Sequence, residues 1–264
     1  MRNDRETSVF IAYPSRPDDL GATIEDTILV CRTTSRSLHL ESWRHNDIAG
    51  RPLVTPIRNK IKKARLLVAD ITSLNLNVTY EIGYAIGRRK RVILIRSKLR
   101  EIDTDLRRKA GIFDTLGYLD YENSQDLANK LLAIADFSPI KVETKINTSM
   151  PLFILLPESK TNWIIHLIAR VKKTRLYYRT FDPDEQVILP VMTAIQNVAS
   201  SHGVIVPFLE TDLLDSGPHN LRGAFVASVA HGMGKHVLLV QKHGSDIPLD
   251  YRDDVKVFGR QRQL

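Results

Sequence analysis

Apolar runs of strand length alternate with longer amphipathic stretches along this chain, and the alternation is written twice. That pattern constrains the fold more than any single residue does. Parallel strands can be joined only through long crossovers, and an amphipathic helix is the usual one. The first series reads as strands at 8–13 (SVFIAY), 37–42 (SLHLES), 65–70 (RLLVAD) and 91–95 (RVILI), with a weaker one at 116–120 (LGYLD). Helical periodicity fills the gaps near 18–34, 51–63, 77–88 and 123–136. The polar stretch 137–151 (FSPIKVETKINTSMP) lacks such periodicity and reads as a linker.

The pattern then restarts. PLFILLPES (151–159) answers VFIAYPS (9–15), and RLYYRTF (175–181) answers LHLESW (38–43). LPVMTAIQNVASSHGVIVPFL (189–209) answers VTPIRNKIKKARLLVADI (54–71). FVASVAHGMGKHVLLVQ (225–241) aligns without a gap to YEIGYAIGRRKRVILIR (80–96), setting Ala85 against Ala230, Gly87 against Gly232, Lys90 against Lys235 and Val92 against Val237. The expected organisation is an α/β chain of two tandem, doubly wound, parallel-sheet units: 1–136, a linker over 137–150, and a diverged second copy over 151–264. In this alignment Glu81 meets Val226, so the second unit lacks whatever an acid does at that position.

With 264 residues the chain is long enough for two domains of ordinary size. A content of 43% hydrophobic and 26% charged residues is that of a soluble globular protein. No run approaches the roughly 18 apolar residues of a membrane span, so no membrane partner is expected. The polar start, MRNDRETSVF, leads directly into a strand-like run, and no signal peptide is expected. The single cysteine, Cys31, excludes an intramolecular disulfide and suits a reducing cytoplasm. The eight histidines form no spacing typical of zinc ligands. The formal charge is +8, with basic patches at 58–65, 87–91 and 98–109. Such a charge attracts phosphate-bearing small molecules or nucleic acid. No nucleic-acid motif accompanies it; solvated helix faces are the preferred reading, and nucleic acid is the disfavoured partner that the charge does not exclude.

In open parallel sheets, ligands bind beyond the carboxyl ends of the strands. The residues there are Tyr13-Pro14-Ser15-Arg16, Trp43 with Asn46-Asp47, and Asp70-Ile71-Thr72. Asn77 or Thr79 is expected to cap the following helix, placing Glu81 about a turn in, on the flank of an apolar stripe of Val78, Ile82, Ala85 and Ile86. Amides at the helix start favour an ionised carboxylate there. One such carboxylate, a second acid (Asp70 or Asp47) and aromatic walls (Tyr13, Trp43, Tyr80) suit cleavage of an N-glycosidic bond. The carboxylate either stabilises the oxocarbenium-like centre or attacks it. No metal or cofactor is required. The blander readings are a solvated helix glutamate for Glu81, an Asx-turn for Asp70, partial core for Tyr13 and Trp43, and a helix cap for Asn77. HGMGK (231–235) lacks the spacing of a phosphate loop, whereas HNLRGAF (219–225) reads as a helix start where Arg222 and local amides could bind an anion.

VFIAYPS, NDIAGRPLVTPIRNKIKKARLLVADIT and NLNVTYEIGYAIG together resemble the nucleoside 2-deoxyribosyltransferase-like and Toll/interleukin-1 receptor (TIR)-like group. The resemblance covers about residues 8–96 and is pattern-level over 151–245. It implies a flavodoxin-like fold, a frequent place in bacterial defence systems, and a catalytic glutamate on the corresponding helix. Glu81-Ile82-Gly83 matches the end of the deoxyribosyltransferase pattern, acid-x-Gly-Thr-x-x-Glu-hydrophobic-Gly, and Asp70 resembles the acid that ends the preceding strand. The Gly-Thr portion is replaced by Asn77-Val78, a departure from transferases of free deoxynucleosides. The TIR-like branch implies hydrolysis or cyclisation of NAD, and self-association into a homo-oligomer. The implied function is cleavage of NAD or a related nucleotide or nucleoside through Glu81, with Tyr13, Ser15, Arg16, Trp43, Asp47, Asp70, Asn77 and Tyr80 around the substrate. The alternative is a non-catalytic nucleotide-binding or protein-assembly module.

Overall fold

The structure is a computed structural model that describes residues 7–35, 37–45, 54–101, 103–243 and 254–258. The chain divides into two compact units, one drawn from Met1–Asp103 and Leu116–Ile140, the other from Thr104–Thr115 and Lys141–Leu264. Each holds a five-stranded sheet in which all pairings are parallel.

The first unit contains strands β1 (Thr7–Ala12), β2 (Leu38–Ser42), β3 (Leu66–Asp70), β4 (Arg91–Ser97) and β5 (Tyr118–Tyr121) in the order β2-β1-β3-β4-β5. Helices α1 (Asp18–Thr34), α2 (Val54–Lys63), α3 (Leu76–Gly87) and α5 (Ser124–Leu132) belong with them, and α4 (Thr104–Ala110) falls between β4 and β5 in chain order. All of β3 is buried, as its uninterrupted apolar run requires of a central strand covered on both faces. On one face Ile24 and Ile28 of α1 and Leu127 of α5 pack over Ile11, Leu40 and Val68. The lone cysteine lies in the same layer; burial pushes the Cys31 thiol up to about 11, so it is an inert core residue.

The second unit contains β6 (Leu152–Leu155), β7 (Tyr178–Phe181), β8 (Gly203–Phe208), β9 (His236–Lys242) and β10 (Val255–Phe258), with α6 (Asn162–Lys173), α7 (Val191–Ala199) and α8 (Ser216–Gly232). Its order, β7-β6-β8-β9-β10, repeats that of the first sheet. Both units are therefore flavodoxin-like. Among the described residues no helix is long and apolar enough to cross a membrane.

The internal repeat holds at the level of single hydrogen bonds. After α3, Lys90 N donates to Ala85 O, and after α8, Lys235 N donates to Ala230 O, both at 2.9 Å. The left-handed residue of each cap is Arg89 (φ 56°) in the first unit and Gly234 (φ 70°) in the second. Lys90 Nζ then donates to Lys62 O at the end of α2 (2.7 Å), and Lys235 Nζ to Ala199 O at the end of α7 (3.0 Å). The matched lysines thus each tie the end of the preceding helix, where a cation is favoured.

Helix α4, absent from the sequence-based assignment, packs against α8 in the second unit. Arg222 of α8 donates to Lys109 O, to Ala110 O (3.0 Å) and to Val187 O (2.8 Å), with its guanidinium 4.9 Å from the Phe181 ring centre. The chain can turn there because Gly111 has φ 76° and leaves no room for a Cβ, which would stand 2.9 Å from Leu189 N.

The cap comparison yields a stability test. A Cβ at Gly234 meets nothing within 4 Å, so Gly234→Ala carries only the backbone cost, about 1 kcal/mol. Arg89→Gly changes stability by a similar amount in the opposite direction, since the left-handed strain there is relieved. Chemical denaturation of the two variants checks both signs.

Candidate functional site

The parallel pairing brings the ends of β1 to β5 to one rim, and the side chains there form two polar groups. In the first, Tyr13 Oη donates to Glu25 Oε1, which also accepts from Ser42 Oγ (2.6 Å). Ser42 Oγ lies 2.9 Å from His45 Nδ1. Burial, and then the bond to Glu25, push the Tyr13 phenol far above its ordinary range, so it stays a neutral donor. Its ring meets Trp43 at 5.8 Å between centres, and the Arg44 guanidinium stands 5.9 Å from the Tyr13 ring and 5.4 Å from Trp43. The sequence-predicted pair Tyr13 and Trp43 is thus brought together; Tyr13 is buried and Trp43 packs partly buried on the core. Glu25, Ser42 and His45 were not expected at this rim. Ser42 was legible as the last residue of a strand, whereas Glu25 lies in the middle of α1 and carried no signal.

In the second group Asp70 is fully buried. Its Oδ1 accepts from Thr72 N (2.9 Å) and its Oδ2 from Tyr121 Oη (2.8 Å), while Ser97 N donates to Thr72 Oγ1 (2.9 Å). Asp70 thereby closes an Asx-turn and links the ends of β3, β4 and β5. Burial raises its carboxyl above the ordinary range, against the opposing hydrogen bonds.

Helix α3 is capped by Asn75, whose side chain accepts from Asn77 N (2.8 Å) and Val78 N (3.2 Å). This corrects the expected cap: Asn77 lies in the first turn, and Glu81 about a turn and a half in. The amphipathic reading of this helix also fails, because every residue from Val78 to Gly87 is buried. Glu81 is 5% exposed. Tyr80, fully buried, accepts from Arg58 Nη2 of α2 at 2.8 Å, with the Arg58 guanidinium 5.6 Å from its ring centre. Ser15 and Arg16 are exposed on the loop after β1. Asp47 lies outside the described residues.

Where the chain order reverses, between β1 and β3, a cleft of about 410 Å³ opens, lined by Pro17, Thr72, Ser73, Leu99, Arg100 and Asp103. A second of about 300 Å³ shares Leu99 and Arg100 and reaches Ser97 and Tyr121. Neither is lined by Glu81, Tyr80 or Trp43. The cation at both mouths is Arg100, ion-paired with Asp19. Among the described residues no group of three or more His, Cys, Asp or Glu is arranged to hold a metal ion.

In the second unit, α8 begins at Ser216, ahead of HNLRGAF, and Arg222 is committed to main-chain carbonyls. The anion site expected there is corrected accordingly. Val226 is fully buried. No protein-family model and no curated protein matches the chain.

Two predictions follow from the Asp70 group. Tyr121→Phe leaves a buried acceptor unmatched and lowers stability by about 1–3 kcal/mol, measured by denaturant unfolding. Because folding raises the Asp70 pKa, the native state binds the proton more readily than the unfolded chain. Stability therefore falls as pH rises from the unfolded carboxylate value through the folded one. Asn at position 70 keeps both partners without the charge, so Asp70→Asn gains on the wild type as pH rises from about 4 towards neutrality. Parallel pH–stability curves would refute the assignment.

Proposed function

We propose that the first unit cleaves the N-glycosidic bond of NAD or a related nucleotide or nucleoside, with Glu81 as the carboxylate at the anomeric carbon. One observation carries the reading: an acid 5% exposed stands where the matched helix of the second unit holds a fully buried valine. Withdrawing a carboxylate from water costs several kcal/mol even when it is partnered. Val226 fills the equivalent place in the same strand order, so packing alone does not call for an acid in that column. A destabilising group retained against an apolar alternative is the mark of a functional site. The resemblance of VADITSLNLNVTYEIGYAIG to the deoxyribosyltransferase- and TIR-like group supports the same residue.

With NAD as substrate, the C1′–N bond breaks and its electron pair neutralises the pyridinium nitrogen, so nicotinamide leaves without needing a proton. The Glu81 carboxylate stabilises the positive ribosyl centre or bonds to it. Water then adds its hydroxide to C1′ and releases a proton; a second nucleophile would give transfer or cyclisation instead. Arg100 at the switch-point cleft is the cation that would meet a phosphate, in exchange for its present partner Asp19. The reaction needs no metal, and the buried single cysteine suits a cytoplasmic setting. Homo-oligomers, as the TIR-like resemblance implies, are the expected working form.

The wild-type chain, at low and high concentration, is incubated with NAD and with 2′-deoxynucleosides, and the released base is measured. Turnover is expected and Glu81→Gln lowers it by about a thousand-fold or more, with the fold intact by circular dichroism. Consumption of neither substrate in any assembled state overturns the enzymatic reading and leaves a binding or assembly module.

A further inference from the structure

Two of the basic runs, 58–65 and 87–91, are separate in the sequence and hold no acid. The fold joins them. Strands β3 and β4 pair in parallel with Leu66 opposite Arg91, so the residues just ahead of both strands meet at the amino-terminal end of the first sheet. Lys90 Nζ, bonded to Lys62 O (2.7 Å), ties the two runs directly. This end is opposite to the rim that carries Tyr13, Trp43 and Asp70.

Lys62, Lys63 and Arg65 are exposed on one side of the tie, Arg88 and Arg89 on the other. Among the described residues, none of Lys62, Lys63, Arg65 and Arg89 is in an ion pair. The Arg65 guanidinium rests on Phe137, 5.0 Å from the ring centre. Asp136, beside Phe137, accepts from Ser138 N (2.8 Å); hydrogen bonds from Ser138 hold its carboxyl low, and the charge of Arg91 adds less. The cations repel one another: burial, and then the charge of Arg88, hold the Lys90 ammonium below its ordinary range.

Helix ends favour cations, and α2 and α3 both end here. The second unit shows how little that requires. Its matched columns replace Arg88 by Met233, Arg89 by Gly234 and Arg91 by His236, and the last turn of α7 holds no basic residue. Lys235 keeps the tie there. Arg89 is moreover held at φ 56°, a left-handed turn that Gly234 makes without a Cβ. An arginine kept in an unfavourable conformation, among like charges, is retained for what it meets.

The side chains say what that is. Protein partners and membrane surfaces are gripped through apolar or aromatic groups. The large apolar side chains that the described part of the first unit exposes, Leu29 and Leu99, belong to neither run. Single-stranded nucleic acid is held by stacking on aromatic rings, and segments 62–65 and 88–91 contain none. Lysine and arginine alone suffice for the phosphates of a duplex, whatever its sequence.

We infer that the amino-terminal end of the first sheet docks on the phosphate backbone of double-stranded nucleic acid without reading its bases. The surface is independent of Glu81 and lies at the other end of the sheet from the polar rim.

The full chain is titrated with labelled duplexes of about 20 base pairs, two helical turns, as DNA and as RNA, and fluorescence anisotropy is followed. At least one duplex is expected to bind. With five exposed cations at the surface, the logarithm of the association constant falls against that of salt with a slope of about −4. Arg89→Gly combined with Lys63→Gln makes the slope shallower by about two and weakens binding about ten-fold or more at low salt. Arg89→Gly relieves backbone strain, so this loss is not a loss of fold. Lys172→Gln combined with Lys173→Gln removes the same charge from exposed positions of the second unit and leaves affinity within about two-fold. Equal losses in the two double variants, or no binding of either duplex, overturn the inference. So does equal affinity for single strands, for polyglutamate or for phosphatidylserine vesicles. Each of these results leaves the reading of Glu81 untouched.

Discussion

A parallel strand cannot be reached from its neighbour by a tight turn, and the rest of this architecture follows from that limit. Each pairing in both sheets is parallel, so the chain must return from the end of one strand to the start of the next through a crossover. The crossovers cover both faces of the sheet and bury its central strand entirely. They also leave the strand ends, with their unpaired polar groups, on a single rim. The Tyr13–Glu25–Ser42 and Asp70–Thr72–Tyr121 groups are the consequence: hydrogen bonds that close the open ends of five strands.

The two units solve this problem with the same strand order but different polar residues. Asn75 caps α3 from just ahead of its first turn, whereas Asn220, at the matched position, bonds through its side chain to both the N and the O of Leu209. The helices end alike, down to the lysines that tie the preceding helix. Their beginnings, where a ligand would approach, have diverged. Closing bonds are shared because every crossover needs them, and a helix start is free to change because a loop can absorb it.

The candidate site was legible where it depended on chain order. Tyr13, Trp43 and Asp70 follow apolar runs, and parallel pairing brings such residues to one rim. It was not legible where it depended on direction. Asp70 turns inward to Tyr121, fifty-one residues away, and Tyr80 meets Arg58 rather than the Tyr13–Trp43 pair. Arg222 looked like an anion ligand from its place near a predicted helix start. It instead holds the carbonyls of Lys109 and Ala110, more than a hundred residues earlier. No local pattern carries such information, because the partner is chosen by the docking of α4.

By itself the amino-acid sequence determined the doubly repeated strand–helix alternation, the parallel sheets and the matched columns that set Glu81 against Val226. These rest on hydrophobic periodicity and on the geometry of crossovers, both local. The tertiary structure decided that Glu81 is enclosed rather than on a flank, and that α4 packs in the second unit. Those depend on burial and on contacts between distant segments, which form only when both helices have found their sheet.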